Sequence, residues 1–214
     1  MSFRSYLASA SLVASLALAG EASALTVSAS PIDTLLPGEH LVADFDGFLA
    51  SGYSFSLTGA AGIFDGAAGL VPGVAAPPPG TTTGYLALQQ GGAATLLTPL
   101  IQSLSIYIGS PDSYNGIRFI GLNGYDQTLT GASLAAGAFN GDQSVGRRMT
   151  YYFGSERITQ VVFFSTGNSF ELDNIAATSA VPEPMTWAMM LIGFGAVGSM
   201  VRGSRRRSAL RVAP

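Results

Sequence analysis

The sequence predicts an all-β domain, a single sandwich of jelly-roll-like type, on three observations. Only 11% of the 214 residues are charged and 27 are glycine. Surface helices are usually rich in Glu and Lys, so this composition favours a turn-rich β protein. Several stretches alternate apolar and polar residues with period two, the pattern of half-buried strands. Clusters of Gly, Asn, Asp, Ser and Pro separate those stretches, and such residues tolerate positive φ or bond to nearby backbone. Many short strands joined by regular turns make a sandwich the expected architecture.

Taken in order, the chain opens with residues 1–24, which read as a signal peptide. Arg4 supplies a positive start, "YLASASLVASLALAG" an apolar stretch, and Ala22-Ser23-Ala24 a cleavage site with small residues at Ala22 and Ala24. The Sec translocon and signal peptidase are the partners this implies, and the mature chain begins near Leu25. Residues 25–180 form the extracytoplasmic β domain, long enough for one real core. In "YSFSL" the residues Tyr53, Phe55 and Leu57 share one face, and in "LSIYI" Leu104, Ile106 and Ile108 do. "ITQVVFFS" is β-branched and aromatic, a more buried strand; "SFELDNIAAT" places Phe170 and Leu172 on one face. Turns are expected at "GSPDSYNG", "GLNGYDQ", "FNGDQSVG" and "STGNS". The best helix candidate in this region, "GASLAAGAF", is short, and "AAPPPGTTTG" reads as a loop.

Charge divides by region. The β domain holds four arginines, Arg118, Arg147, Arg148 and Arg157, against eleven acids, a net charge of about −7. The segment from Val181 onward holds five arginines and one glutamate, about +4. An acidic domain argues against nucleic acid as a partner, because phosphate binding needs clustered cations. There is no cysteine, so a chain sent to a compartment that permits disulfides uses none.

Catalytic triads built on His or Cys are disfavoured, since His40 is the one histidine and sits in a "PGEH" turn. Oxygen ligands are a different matter. Asp44 and Asp46 lie two apart in "VADFDGF", and Glu171 and Asp173 lie two apart in "FELDNI". On a strand, residues two apart point the same way, so each pair presents two carboxylates on one face. Calcium prefers such ligands, and it is the one cofactor these residues suit. If first and last strands lie close, the two pairs converge on one ion. The alternative is that both pairs are solvent-facing positions of edge strands, for neither completes a known ion-binding loop. A glycoside hydrolase using the same acids needs a cleft and one raised carboxyl pKa, and no enzyme is expected. Tyr107, Tyr114, Tyr125, Tyr151 and Tyr152 lie in or beside turns. If exposed, their rings suit a calcium-dependent carbohydrate-binding module; otherwise they are core and turn tyrosines. "TTTG" at Thr81 is too short for a flat ice-binding face.

The last segment is "VPEPMTWAMMLIGFGAVGSMVRGSRRR". Residues 185–201 carry no charge and are apolar or small, at the lower limit for a membrane-spanning helix. Trp187 suits an interface, and Arg205, Arg206 and Arg207 form a basic flank that the positive-inside rule keeps cytoplasmic, along with residues 208–214. "GFGAVG" matches a dinucleotide-binding pattern but lacks the strand and the later acid that such a site needs. Gly193 and Gly195 fit a small-residue helix face instead.

Residues 181–207 resemble the PEP-CTERM sorting signal of Gram-negative bacteria, in its PEPxxWA subtype. The resemblance is carried by Pro182-Glu183-Pro184, Trp187-Ala188, the glycine-bearing helix and the arginines. The same kind of tail is also called an ice-binding protein C-terminal segment, a label for the tail and not for the domain. The resemblance implies recognition by exosortase, a membrane-embedded cysteine protease-transpeptidase, near Pro-Glu-Pro. It implies an inner-membrane-anchored precursor, then a cell-surface or extracellular product that accompanies exopolysaccharide.

Overall fold

The computed structural model describes residues 25–109, 111–135, 142, 144–180 and 184–209. The expected signal peptide with Ala22 and Ala24, and Pro182 and Glu183 of the sorting motif, lie outside them.

Eleven strands run through the domain: β1 (Thr26–Ser30), β2 (His40–Ala43), β3 (Ser54–Thr58), β4 (Ala61–Asp65), β5 (Gly84–Leu88), β6 (Ala93–Ile108), β7 (Asn115–Gly121), β8 (Asp126–Thr130), β9 (Arg147–Tyr152), β10 (Ile158–Ser165) and β11 (Phe170–Ser179). A four-residue helix, α1 (Gly131–Leu134), follows β8, and α2 spans Pro184–Ala209. All strand pairings are antiparallel.

The key element is β6, which serves two sheets. Its first half pairs with β3 and β10, and β10 continues to β7 and β8. Its second half pairs with β11 and β9, and β9 continues to β1. Pro99 marks the crossing point. A proline has no N–H to give a ladder, and no strand pairs across residues 98–100 of β6. Opposite it, β10 shifts register between Ile158 and Gln160. Strands that change sheets do so at such bends and bulges. On the far side of β11, its start pairs with β5, which leads to β4, and its end pairs with β2.

The two halves face each other. Phe119 of β7 stacks on Tyr151 of β9 with ring centroids 5.1 Å apart, and on Phe153 at 4.9 Å. All three are fully buried, and one apolar cluster joins Leu96, Ile117 and Val161 of the first sheet to Ile106, Leu172 and Ile175 of the second. The Tyr151 hydroxyl donates to the carbonyl of Leu134 at 3.0 Å, so α1 caps this end of the core. The all-β sandwich expected from composition and alternation is the observed class.

Local patterning explains the strand burial. In β10 the positions Ile158, Val161, Phe163 and Ser165 are buried and the rest are half-buried, as suits a central strand between β6 and β7. In β3, an edge strand, Phe55 is half-buried and Leu57 is exposed. The "AAPPPGTTTG" stretch lies outside regular strands except its final glycine, which opens β5.

The helix expected over 185–201 is present and longer, as α2. Its apolar side chains are exposed: Leu191 by 73%, Phe194 by 69% and Ile192 by 65%. Among the described residues no helix is long and apolar enough to cross a membrane, so the transmembrane span expected from the sequence is not found among them. Between those side chains α2 carries Gly193, Gly195, Gly198 and Ser199, and it runs on into arginines.

Candidate functional site

The last strand carries the site. Glu171 and Asp173 of β11 are 7% and 3% exposed. Both lie beneath the long connection from β4 to β5, and both hold it. The Glu171 carboxylate accepts from the Ala76 N–H at 3.0 Å and from the Ser169 hydroxyl. The Asp173 carboxylate accepts from the Thr81 hydroxyl at 3.1 Å and from the Asn174 N–H at 2.7 Å. The Tyr107 hydroxyl donates to Pro79 O at 2.7 Å, and the Asn168 amide donates to Gly73 O.

Two concavities open between connection and strand. The smaller, about 100 Å³, is bounded by Gly73, Asp112, Tyr114, Asn168 and Glu171. The larger, about 250 Å³, is bounded by Asp33, Thr81, Thr82, Tyr107, Asp173 and Asn174. Adjacent residues of a regular strand point to opposite faces, yet Asp173 and Asn174 border one concavity. A bulge accounts for it. The β11–β6 register shifts between Asp173 and Ala176, and Asn174 takes a left-handed φ of 47°, the kind of irregularity that re-aims side chains.

Below the larger concavity lies a buried charge. Arg148 of β9 is 2% exposed. Its guanidinium donates to Asp33 (Nε to Oδ1, 2.8 Å), to Ser105 Oγ at 2.8 Å and to the carbonyl of Asn174 at 3.0 Å. The second oxygen of Asp33 accepts from the Asn174 amide at 2.9 Å. Neither Asp33 nor Arg148 was expected at a site; the one sequence signal was an arginine inside the strand-like "RRMTYY" of an acidic domain.

Electrostatics follow from this packing. Burial raises the Asp173 carboxyl from 3.8 to about 6, against the lowering effect of its Asn174 and Thr81 donors; the Asp33 and Asp46 carboxylates add to the rise. Burial likewise raises Glu171, against its Ser169 and Ala76 donors, and Asp112 adds to the rise. The sign for Asp173 is set by that direction. A carboxyl with a raised native pKa stabilises the fold below its unfolded value, and that stability is lost as pH rises from 3.8 to about 6. Allowing for solvent in the concavity, the loss is about 1–2 kcal/mol. Urea titrations of the Asp173→Asn variant beside the wild type are expected to show the variant gaining relative stability across that window. A difference that does not vary with pH would contradict the assignment.

The four carboxylates singled out from the sequence do not form one ligand set. Asp44 and Asp46 follow β2 rather than lie in it, and Phe45 between them has φ 59°, so the two do not share a strand face. Asp44 Oδ1 accepts from the Asp46 N–H at 2.9 Å and the Phe48 N–H at 3.0 Å, which builds the turn. Asp46 Oδ1 accepts from the Gly84 N–H at 2.6 Å. The first strand, β1, pairs with β9; it is the second, β2, that pairs with β11, and Asp46 just after it is near enough to act on Asp173. Glu171 and Asp173, however, border different concavities. Among the described residues no three His, Cys, Asp or Glu side chains are arranged to hold a metal ion.

The tyrosines divide. Tyr107 and Tyr151 are buried, Tyr114 and Tyr125 half-buried, and Tyr152 is 40% exposed, so of the two alternatives that of core and turn tyrosines describes most of them. His40 is exposed at the start of β2, its Nε2 3.2 Å from the Tyr53 hydroxyl. In α2, Pro184 and Trp187 fall in the first turns, Ala188, Gly193 and Gly195 are exposed, and Arg205, Arg206 and Arg207 lie in the last turns.

No family model and no curated protein matches the chain. Among solved structures, it is similar to a family 11 carbohydrate-binding module from Clostridium thermocellum in complex with a β-1,3-1,4-mixed-linked tetrasaccharide. The identity is 16%, with 68% of this chain and 98% of that chain covered and a TM-score of 0.32. It is also similar to the K1 cleaved adhesin domain of Lys-gingipain from Porphyromonas gingivalis W83. There the identity is 12%, the coverage 73% and 99%, and the TM-score 0.30. At such scores these likenesses carry no argument about a ligand, and the fold stands on its own strand pairings.

Proposed function

We propose that this chain is an exported surface or matrix protein, without catalytic activity, that exosortase processes at its C-terminal tail and that accompanies exopolysaccharide. The observation that supports this reading is α2. It begins at the last residue of Pro182-Glu183-Pro184, presents Leu191, Ile192 and Phe194 unburied, and ends among arginines. Apolar side chains left in water on one helix mark a surface that another phase or protein covers, and a membrane-embedded protease supplies such a cover. The β domain, which we read as jelly-roll-like in its connections, is the part that is delivered.

The test is fractionation of cells with and without exosortase, following a tag placed after Leu25. A smaller surface or released species is expected only when exosortase is present. A species of one size in the inner membrane of both strains would overturn the reading.

A further inference from the structure

The larger concavity on the β11 side has a construction that packing alone does not require. A bulge turns Asp173 and Asn174 to the same place, and a buried arginine beneath holds Asp33. Burying ionised groups costs stability unless they are paired and bonded, and Asp173 costs the fold stability at neutral pH by the sign worked out above. Groups kept at such cost concentrate at sites of function.

The lining selects the ligand by chemistry. Asp33 and Asp173 are acceptors, and a carboxylate has about four lone-pair sites. Each of their oxygens takes a donor from the protein, Asp33 from Arg148 and Asn174, Asp173 from Asn174 and Thr81, which leaves capacity on both. Thr82 and Thr83 border the same space with exposed residues and hydroxyls that both donate and accept. An apolar ligand would strip water from carboxylates without replacing its bonds. An anion would meet two carboxylates. A metal ion lacks a three-carboxylate set among the described residues, and the charge of Asp33 is already matched by Arg148. The hydroxyls of Thr82 and Thr83 and the remaining acceptor capacity of the two carboxylates favour a neutral molecule dense in hydroxyls. The volume, about 250 Å³, is below the usual 300–1,000 Å³ of drug-sized pockets, which suits one ring.

We propose that this concavity binds one neutral sugar ring, whose hydroxyls donate to Asp33 and Asp173 and accept from Thr82 and Thr83. This deepens the exopolysaccharide part of the reading above and rests on it only for where the sugar is met. Binding by the purified chain needs no processing, so the two fail separately.

The experiment titrates the full chain, purified in detergent, with the methyl glycosides of glucose, galactose, mannose and xylose, by calorimetry and saturation-transfer NMR. At least one is expected to bind saturably. Asp173→Asn is expected to weaken it about tenfold, the worth of one charge-assisted hydrogen bond. Thr83→Val, at an exposed position where misfolding is not at issue, is expected to weaken it severalfold. Arg118→Gln, on the exposed β7–β8 ion pair, is expected to change nothing. Absence of saturable binding by all four glycosides overturns the proposal, as does binding that survives both Asp173→Asn and Thr83→Val. Displacement of the bound glycoside by methylammonium overturns it too, since the site would then be a cation site.

Discussion

Replacing Arg148 with alanine is expected to cost about 3–5 kcal/mol of stability, the range for removing one partner of a buried ion pair. The side chain is 2% exposed while its partner Asp33 is 28% exposed, so the carboxylate left behind is partly hydrated and the loss falls at the low end of that range. Removal of the arginine leaves the Asp33 carboxylate beside Asp173 without compensation, and leaves Ser105 Oγ and the Asn174 carbonyl without the guanidinium as donor. Against a typical total of about 5–15 kcal/mol, this is enough to unfold much of the population. The measurement is the urea midpoint with an unchanged slope. Arg148→Met combined with Asp33→Asn is expected to recover a large share, because replacing both charges removes the unpaired one. A loss below about 1 kcal/mol for Arg148→Ala would mean that the pair behaves as a surface ion pair, and the buried floor of the concavity would be wrong.

Phe119→Ala is expected to cost a similar 3–5 kcal/mol, since it empties a large buried ring from a packed core. The consequence is specific to the architecture, because Phe119 belongs to β7 and its ring partners Tyr151 and Phe153 belong to the opposite sheet or its immediate continuation. A double-mutant cycle with Phe153→Ala is expected to show a coupling of about 0.5–1.5 kcal/mol, the added worth of an aromatic pair. Phe48, at 47% exposure, serves as the comparison, and Phe48→Ala is expected to stay within about 0.5 kcal/mol. Equal effects at Phe119 and Phe48 would refute the face-to-face packing of the sheets.

Much of the strand content is legible in short stretches. "ITQVVFFS" coincides with β10, and "SFELDNIAAT" matches β11 offset by one residue, starting one early and stopping one short of Ser179. "LSIYI" is legible too, but only as the last stretch, Leu104–Ile108, of a 16-residue strand. Pro99 hides the continuity, because proline reads as a break while in the fold it marks where β6 changes partners. The carboxylate pairs were visible as pairs, and only one of them sits on a strand. Phe45 takes the left-handed conformation between Asp44 and Asp46, which a period-two rule cannot foresee for a phenylalanine.

The sequence by itself determined the β class, the opposite net charges of the domain and the tail, and the helix after Pro184. These follow from local preferences, and local preferences act over a few residues. Only the tertiary structure decided which acids matter. Asp33 and Arg148 are 115 residues apart in the chain, and Thr81 and Asp173 are 92 apart. Their burial, their pairing and the raised carboxyl of Asp173 depend on which strands pack against which. That is set by the summed burial of the whole core rather than by any window of it.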